Sequence, residues 1–241
     1  MKILAIDTTA NTASVAVLEN TTLLVLQTAN AKNTHSEVLL PMIKACLDSV
    51  KLTAADMDAF ACSSGPGSFT GVRIGAATIK GLAFGTDKPC IGVSSLEALA
   101  ENLSGVNGIV CPAMNARRGQ VYAALFRMTD GVCQRLTEDD CVMATDVAEQ
   151  LSAYDEPVYF TGDGAELMIK ATTENKNVRK TPELLLYQNG YSVGVCAYRK
   201  LAAGETGTDR ELAPVYLRKP QAEREREERL AAEAVNNGKE E

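Results

Sequence analysis

The chain has a single histidine, His35, among its 241 residues. That count removes His-Glu-x-x-His metal sites, which need two imidazoles, and leaves any Ser-His or Cys-His nucleophile system to be built on His35 alone. Its setting, Thr34-His35-Ser36-Glu37 ahead of an apolar run, suits a helix entry better than a catalytic base. Cysteine occurs seven times but never as Cys-x-x-Cys. An odd number of thiols, with apolar neighbours at Cys46, Cys62, Cys111 and Cys196, reads as small buried side chains and argues against disulfides and structural zinc. Long apolar runs are missing too. None approaches the roughly 18 residues of a membrane span, and Asp7 interrupts Ile3-Leu4-Ala5-Ile6 too early for a signal sequence. A cytoplasmic protein without membrane contact is expected. Positive charge is also in short supply: a net charge of −7 argues against a broad basic face that grips nucleic acid.

What is present is enough apolar material, 46% of residues, for one large domain or two small lobes. The most informative stretch runs from Cys62 to Gly75. Gly65-Pro66-Gly67 makes a tight turn from a strand into a helix that Ser68 can cap, with the positive dipole end outward. One use of such a junction is to hold phosphate. The spacing, however, is neither the Walker loop, which ends in Gly-Lys-Ser/Thr, nor Gly-x-Gly-x-x-Gly. The simpler use is packing, since Gly71 and Gly75 lie four apart on one helix face and would admit a neighbouring helix closely.

The order of elements repeats. Lys2 to Ile6, Ser14 to Leu18 and Leu23 to Gln27 read as three strands, followed by a helix from a Thr34/Glu37 capping box to about Val50. A strand at 58–63, a helix at 70–84, a strand at 90–93 and a second capping box at Ser94 and Glu97 follow. The pattern then restarts: strands at 109–114, 121–127 and 132–136, a helix near 146–151, a strand at 158–161, and a helix after Gly162-Asp163-Gly164. A long last helix is expected over 184–201. This predicts an α/β protein of two similar lobes, each a mixed sheet with helices, over 1–106 and 107–220. A charged extension, 221–241, reads as a solvated helix that frays, with Glu225 and Arg229 placed to pair.

The first two helices carry more apolar surface than one sheet needs. On a helical wheel Leu39, Ile43, Cys46, Leu47 and Val50 form one stripe and Val38, Met42 and Ala45 a second. In the next helix Val72, Ala76, Ile79 and Ala83 form one stripe, with Gly71, Gly75 and Leu82 on another. Such a surplus suggests an apolar patch awaiting another protein, with Val38, Met42, Ala45, Val72, Ile79 and Ala83 as candidate contacts. Part of the surplus is accounted for if the helices pack on each other.

Two lobes that open on an Asp-Thr-Thr hairpin resemble the actin, Hsp70 and sugar-kinase superfamily, whose first hairpin cradles phosphate. Within it, Leu4-Ala5-Ile6-Asp7-Thr8-Thr9, His35-Ser36-Glu37 with Leu39-Leu40-Pro41, Gly65-Pro66-Gly67-Ser68-Phe69-Thr70-Gly71 with Arg73-Ile74-Gly75, Lys80-Gly81-Leu82-Ala83 and Gly92-Val93-Ser94-Ser95-Leu96 resemble the TsaB (YeaZ) family. The second lobe adds Ala116-Arg117-Arg118 and Pro214-Val215-Tyr216-Leu217-Arg218. The resemblance implies a non-catalytic subunit of the bacterial machinery that makes threonylcarbamoyladenosine in tRNA. It would bind the metal-bearing transferase TsaD, act with the ATPase TsaE, and meet tRNA only through the complex. On its own it would form a homodimer through the same helices. It implies no metal and no cofactor of its own, with room for a nucleotide at an interface of the complex. Asp7, Thr8 and Thr9 would then be a vestigial nucleotide site, Asp7 capping its own turn. The family usually has Asp-Ala-Arg where this chain has Asn115-Ala116-Arg117, which puts any carboxylate role there in doubt. The competing reading is a small actin-like ATPase or phosphotransferase that uses Asp7, Thr8 and Thr9 around magnesium. A peptidase, a label given to relatives of this fold, is a weaker third.

Overall fold

A computed structural model describes residues 1–30, 34–173 and 175–218; the charged extension expected over 221–241 lies outside the described residues. The first lobe is built on β1 (Lys2–Asp7), β2 (Ala13–Glu19), β3 (Thr22–Ala29), β4 (Ala59–Gly65) and β5 (Cys90–Ser94), in the order β3-β2-β1-β4-β5. The meander β1-β2-β3 is antiparallel, whereas β4 and β5 add parallel to β1. Parallel strands need crossovers, and these are α1 (His35–Ser49) and α2 (Phe69–Ala83). Both faces of the central strands are covered, so β1 and β4 read as unbroken apolar or small runs instead of alternating. Leu39, Met42, Ile43 and Ile79 fill the face under α1 and α2.

The opposite face of this sheet is covered from the far end of the chain. Val193, Val195, Cys196 and Ala197 of α6 (Gly190–Ala202) pack there with Ile3, Ala5, Ala16 and Leu18. The expected boundary at 106/107 therefore does not divide the cores: the last helix of the chain belongs to the first lobe. That helix is also shorter than expected. The segment over 184–201 is a 3-10 turn at Glu183–Leu186, then a new start at Asn189, whose Oδ1 accepts from the Tyr191 N–H at 2.9 Å. An N-cap asparagine followed by glycine resets the helix in the middle of an apolar stretch.

The second sheet contains β6 (Gly108–Arg117), β7 (Gln120–Ala123), β8 (Phe126–Thr129), β9 (Val132–Arg135), β10 (Asp140–Met143), β11 (Val158–Thr161) and β12 (Val178–Arg179). Its spine is β10-β7-β6-β11-β12, with β8 and β9 branching from β6. The single strand expected over 121–127 is two, because Leu125 turns aside: its N–H donates to Thr137 Oγ1 at 2.8 Å and its carbonyl accepts from the Leu136 N–H at 2.8 Å. β10 was not foreseen. The helices α4 (Ala144–Leu151) and α5 (Ala165–Ala171) cover one face of this sheet. Between the lobes lies α3 (Ser95–Glu101), with Ala98 in the first core and Leu96, Leu99 and Ala100 in a cluster with Val110, Met114 and Phe126 of the second.

Candidate functional site

The Asp7-Thr8-Thr9 turn sits at the carboxyl end of β1, where a phosphate-binding hairpin would lie, but it is sealed. All three residues are buried. Asp7 Oδ1 accepts from the Thr9 N–H (2.8 Å) and the Thr9 hydroxyl (2.7 Å), and Oδ2 accepts from Ser63 Oγ at 2.5 Å. Burial pushes the Asp7 carboxyl above its ordinary range, against the lowering effect of those hydrogen bonds and of His35. The side chain thus holds its own turn, as the capping expectation had it.

The stopper is the start of α2. A Cβ at Gly71 would stand 1.9 Å from the Thr8 carbonyl oxygen, and one at Gly67 would stand 2.4 Å from that of Thr9. Glycine is required because a helix terminus and a hairpin turn touch backbone to backbone. Thr8 Oγ1 then donates to the Gly71 carbonyl at 2.7 Å, and the Ser68 N–H to the Thr9 carbonyl at 2.7 Å. Ser68 caps α2 as expected, its Oγ accepting from the Gly71 N–H at 3.3 Å. Of the two uses weighed for this junction, packing is the one built, although the close neighbour is the β1–β2 turn and not a second helix.

Beside this turn a cleft of about 1080 Å³ opens between the lobes, lined by Asn11, His35 and Ser68 on one side and Asn115, Arg117 and Asp163 on the other. His35 is the first residue of α1, and its Nε2 lies 2.7 Å from the Ala10 carbonyl. Since a carbonyl only accepts, that nitrogen carries the proton. Asp163 Oδ1 accepts from the Asn115 N–H at 3.0 Å, while burial raises the carboxyl's pKa. Residues 207–218 run from the start of β5 to the cleft, which Val215, Tyr216, Leu217 and Arg218 line. The Gly207 carbonyl accepts from the Cys90 N–H (2.8 Å), the Val215 N–H donates to the Ser64 carbonyl (2.7 Å), and Arg218 donates to the Ala116 carbonyl of the second lobe. Tyr216 stacks on Phe69 with ring centroids 4.4 Å apart, Arg73 lies 3.8 Å over the Phe69 ring, and its Nε donates to the Tyr216 hydroxyl at 2.8 Å. The Pro214–Arg218 segment carries no short-range periodicity, so sequence reasoning gave it no structural task.

The partner-contact candidates divide. Ala45 is exposed and Val38 half-buried, but Met42, Val72, Ile79 and Ala83 are buried within the chain. The correction has a simple cause: Met42, Ile79 and Ala83 belong to the core cluster that α1 and α2 share with Leu4, Ile6, Val15 and Phe60 of the sheet, so they face the chain's own core. The apolar residues these helices leave outside are others, Leu40 at 57% and Phe84 at 79% exposure. The four thiols expected to be buried are so, and desolvation lifts Cys62 and Cys111 to about 12, far from reactivity. No group of three or more His, Cys, Asp or Glu that could hold a metal occurs among the described residues. No helix among them is long and apolar enough to cross a membrane.

Comparison with known proteins agrees with this architecture. The family model described as "TsaD: tRNA N6-adenosine threonylcarbamoyltransferase" matches residues 27–226. The tRNA threonylcarbamoyladenosine biosynthesis protein TsaB of Escherichia coli is 32% identical over 226 residues, which cover 90% of this chain and 95% of that one. TsaB of Bacillus subtilis is 38% identical over 167 residues, 69% of this chain and 73% of that one. The solved structure of YeaZ from Pseudomonas aeruginosa superposes with a TM-score of 0.78 at 26% identity, covering 90% of this chain and 99% of that one. The fold alone is shared with component A of the (R)-2-hydroxyglutaryl-CoA dehydratase of Acidaminococcus fermentans, at TM-score 0.51, 14% identity and coverage of 84% and 99%. The relatives of 32% and 38% identity and the superposition on YeaZ together place this chain, with its two-lobed α/β fold, in the TsaB (YeaZ) family.

Proposed function

We propose that the chain is a non-catalytic subunit of the cytoplasmic machinery that makes threonylcarbamoyladenosine in tRNA, binding and supporting a TsaD-type transferase together with a TsaE-type ATPase. The observation that carries the non-catalytic reading is the sealed turn. Asp7, the acidic group an actin-like phosphotransferase would turn toward magnesium, has both oxygens engaged inside the chain, and backbone contacts with α2 fill the place of a phosphate. The acidic surface accords with tRNA contact made by partners. The transferase is expected on the outer side of α1 and α2, at Val38, Leu40, Ala45 and Phe84, instead of on the buried residues Met42, Val72, Ile79 and Ala83.

Reconstitution tests the reading: tRNA modification by a TsaD-type and a TsaE-type protein should depend on this chain, and the chain alone should neither turn over ATP nor transfer the group. Modification that proceeds equally without it, or ATP turnover by the chain alone, overturns the proposal and favours the phosphotransferase. Leu40→Glu and Phe84→Glu should stay folded and weaken transferase binding tenfold or more, whereas Met42→Glu should lose several kcal/mol of fold stability through a buried, unpaired carboxylate.

A further inference from the structure

We propose that the Pro214–Arg218 segment is a strap that fastens the mouth of the cleft between the lobes, and that Tyr216 ties the fastened strap to the outer face of α2. The strap is held unequally at its two ends. On the first lobe it is held by backbone: the Val215 N–H donates to the Ser64 carbonyl of β4 at 2.7 Å, and a Cβ at Gly65 would stand 2.4 Å from the Val215 carbonyl oxygen. Gly65 also holds a left-handed φ of 118°, so a side chain there would be strained on both counts. Among the described residues, the strap's hydrogen bond to the second lobe comes from one side chain, Arg218, which donates to the Ala116 carbonyl beside the β6–β7 turn.

Away from the cleft the lobes are joined more heavily. Asn102 Nδ2 donates to the carbonyls of Leu185 (3.2 Å) and Tyr187 (2.8 Å), Ser94 Oγ donates to Asp139 Oδ2 at 2.5 Å, and the apolar residues of α3 enter both cores. A motion that parts the lobes therefore starts at the mouth, with the release of Arg218.

Between its two ends the strap leaves apolar surface outside. Val215 is 50% and Tyr216 41% exposed. Tyr216 rests on Phe69 and its hydroxyl accepts from Arg73 Nε, both residues of the first turns of α2. Arg73 and Phe84 lie eleven positions apart, and at 3.6 residues per turn they point within roughly 20° of each other. Tyr216 thus extends the exposed face of α2 that carries Phe84 at its far end. A partner covering that face meets Tyr216 in place when the strap is fastened, so it favours the fastened form and its binding fastens the strap in turn. This coupling rests on the reading of that face as the transferase surface; the strap itself does not.

The chain contains no tryptophan, so Tyr216→Trp supplies a single reporter within the strap. In the full chain without partner, adding Arg218→Met, which keeps the aliphatic stem and loses the donor, should raise acrylamide quenching of that indole about twofold or more. The melting temperature should stay within about 4 °C of the parent. Arg218→Met without the reporter should weaken binding of a TsaD-type transferase about fivefold or more, although its own contact lies on the second lobe. Tyr216→Phe, which keeps the ring, should weaken it less than Tyr216→Ala. In the unaltered chain, the Val215 amide should exchange its hydrogen more slowly once transferase is bound, while the Cys90 amide, held by the Gly207 carbonyl, keeps its rate. Unchanged quenching overturns the proposal even if binding weakens, because Arg218 is then a direct contact. Quenching that rises while transferase affinity and Val215 exchange stay constant overturns the tie to α2. The quenching measurement uses the chain alone, so it decides the strap whether or not a transferase binds.

Discussion

Two turns occupy equivalent places in the two sheets and are built in opposite ways. β1 pairs antiparallel with β2 and parallel with β4, as β6 does with β7 and β11. After β1, the carboxylate of Asp7 stays inside its own turn and the backbone of α2 closes over it. After β6, Asn115 is exposed, its Oδ1 accepts from the Arg117 N–H at 2.8 Å, and Arg117, Arg118 and Gly119 hold left-handed φ values of 65°, 55° and 78° beside the open cleft. The carboxylate that supports this second turn comes from the other side, Asp163 in the loop after β11. A repeated topology thus fixes where a turn lies without fixing its chemistry. In the first lobe three buried donors and a glycine-lined helix start make a plug; in the second, one carboxylate on one backbone N–H leaves an accessible rim.

The strongest way to break this contrast is to force the plug apart. Gly71→Ala places a Cβ 1.9 Å from the Thr8 carbonyl, a backbone atom that cannot swing aside; it should cost about 3 kcal/mol or more in chemical denaturation. Gly164→Ala, where the nearest Ala113 backbone atoms are 2.9 Å away, should cost about 1–2 kcal/mol. Equal losses would mean that both turns are packed alike. Next in size, Asp7→Ala leaves the Ser63 hydroxyl, the Thr9 N–H and the Thr9 hydroxyl without their acceptor, a loss of about 2–3 kcal/mol. Asn115→Ala, at an exposed turn, should cost under about 1 kcal/mol.

Titration sharpens the same contrast. Because burial raises the Asp7 pKa in the folded chain, the folded state holds a proton that the unfolded state releases at about 3.9. Stability should therefore fall as pH rises from that value through the folded pKa, and level off above it. Asp7→Asn keeps an oxygen for Thr9 and removes the ionisation, so its stability should lack that decline. Parallel pH profiles for the two proteins would show that Asp7 is not buried as described. The smallest effect is a control. Gly81→Ala, inside α2 with nothing within 4 Å of the added carbon, should stabilise by about 0.5–1 kcal/mol.

Much of this was legible along the chain because it rests on local rules. The Thr34/Glu37 capping box, the Ser68 cap and the central strands of both sheets stand where short-range pattern puts them. The break at Leu125 was hidden, since its cause is a hydrogen bond to Thr137, and periodicity is blind to partners 12 residues away. The same blindness concealed the place of the last helix on the first sheet, whereas its resetting has a local cause in the Asn189 cap.

For the candidate site the division is sharper. Sequence alone determined that the chemistry is poor in histidine, that a glycine-rich strand–helix junction sits near residue 67, and that Asp-Thr-Thr ends the first strand, because these are matters of composition and spacing. Only the tertiary structure decided that the junction plugs the turn, that Met42, Val72, Ile79 and Ala83 are buried within the chain, and that residues 215–218 line the cleft. Each of those outcomes depends on which surfaces meet, and a helix has no way to record in its own periodicity how a twisted sheet and a returning chain will cover it.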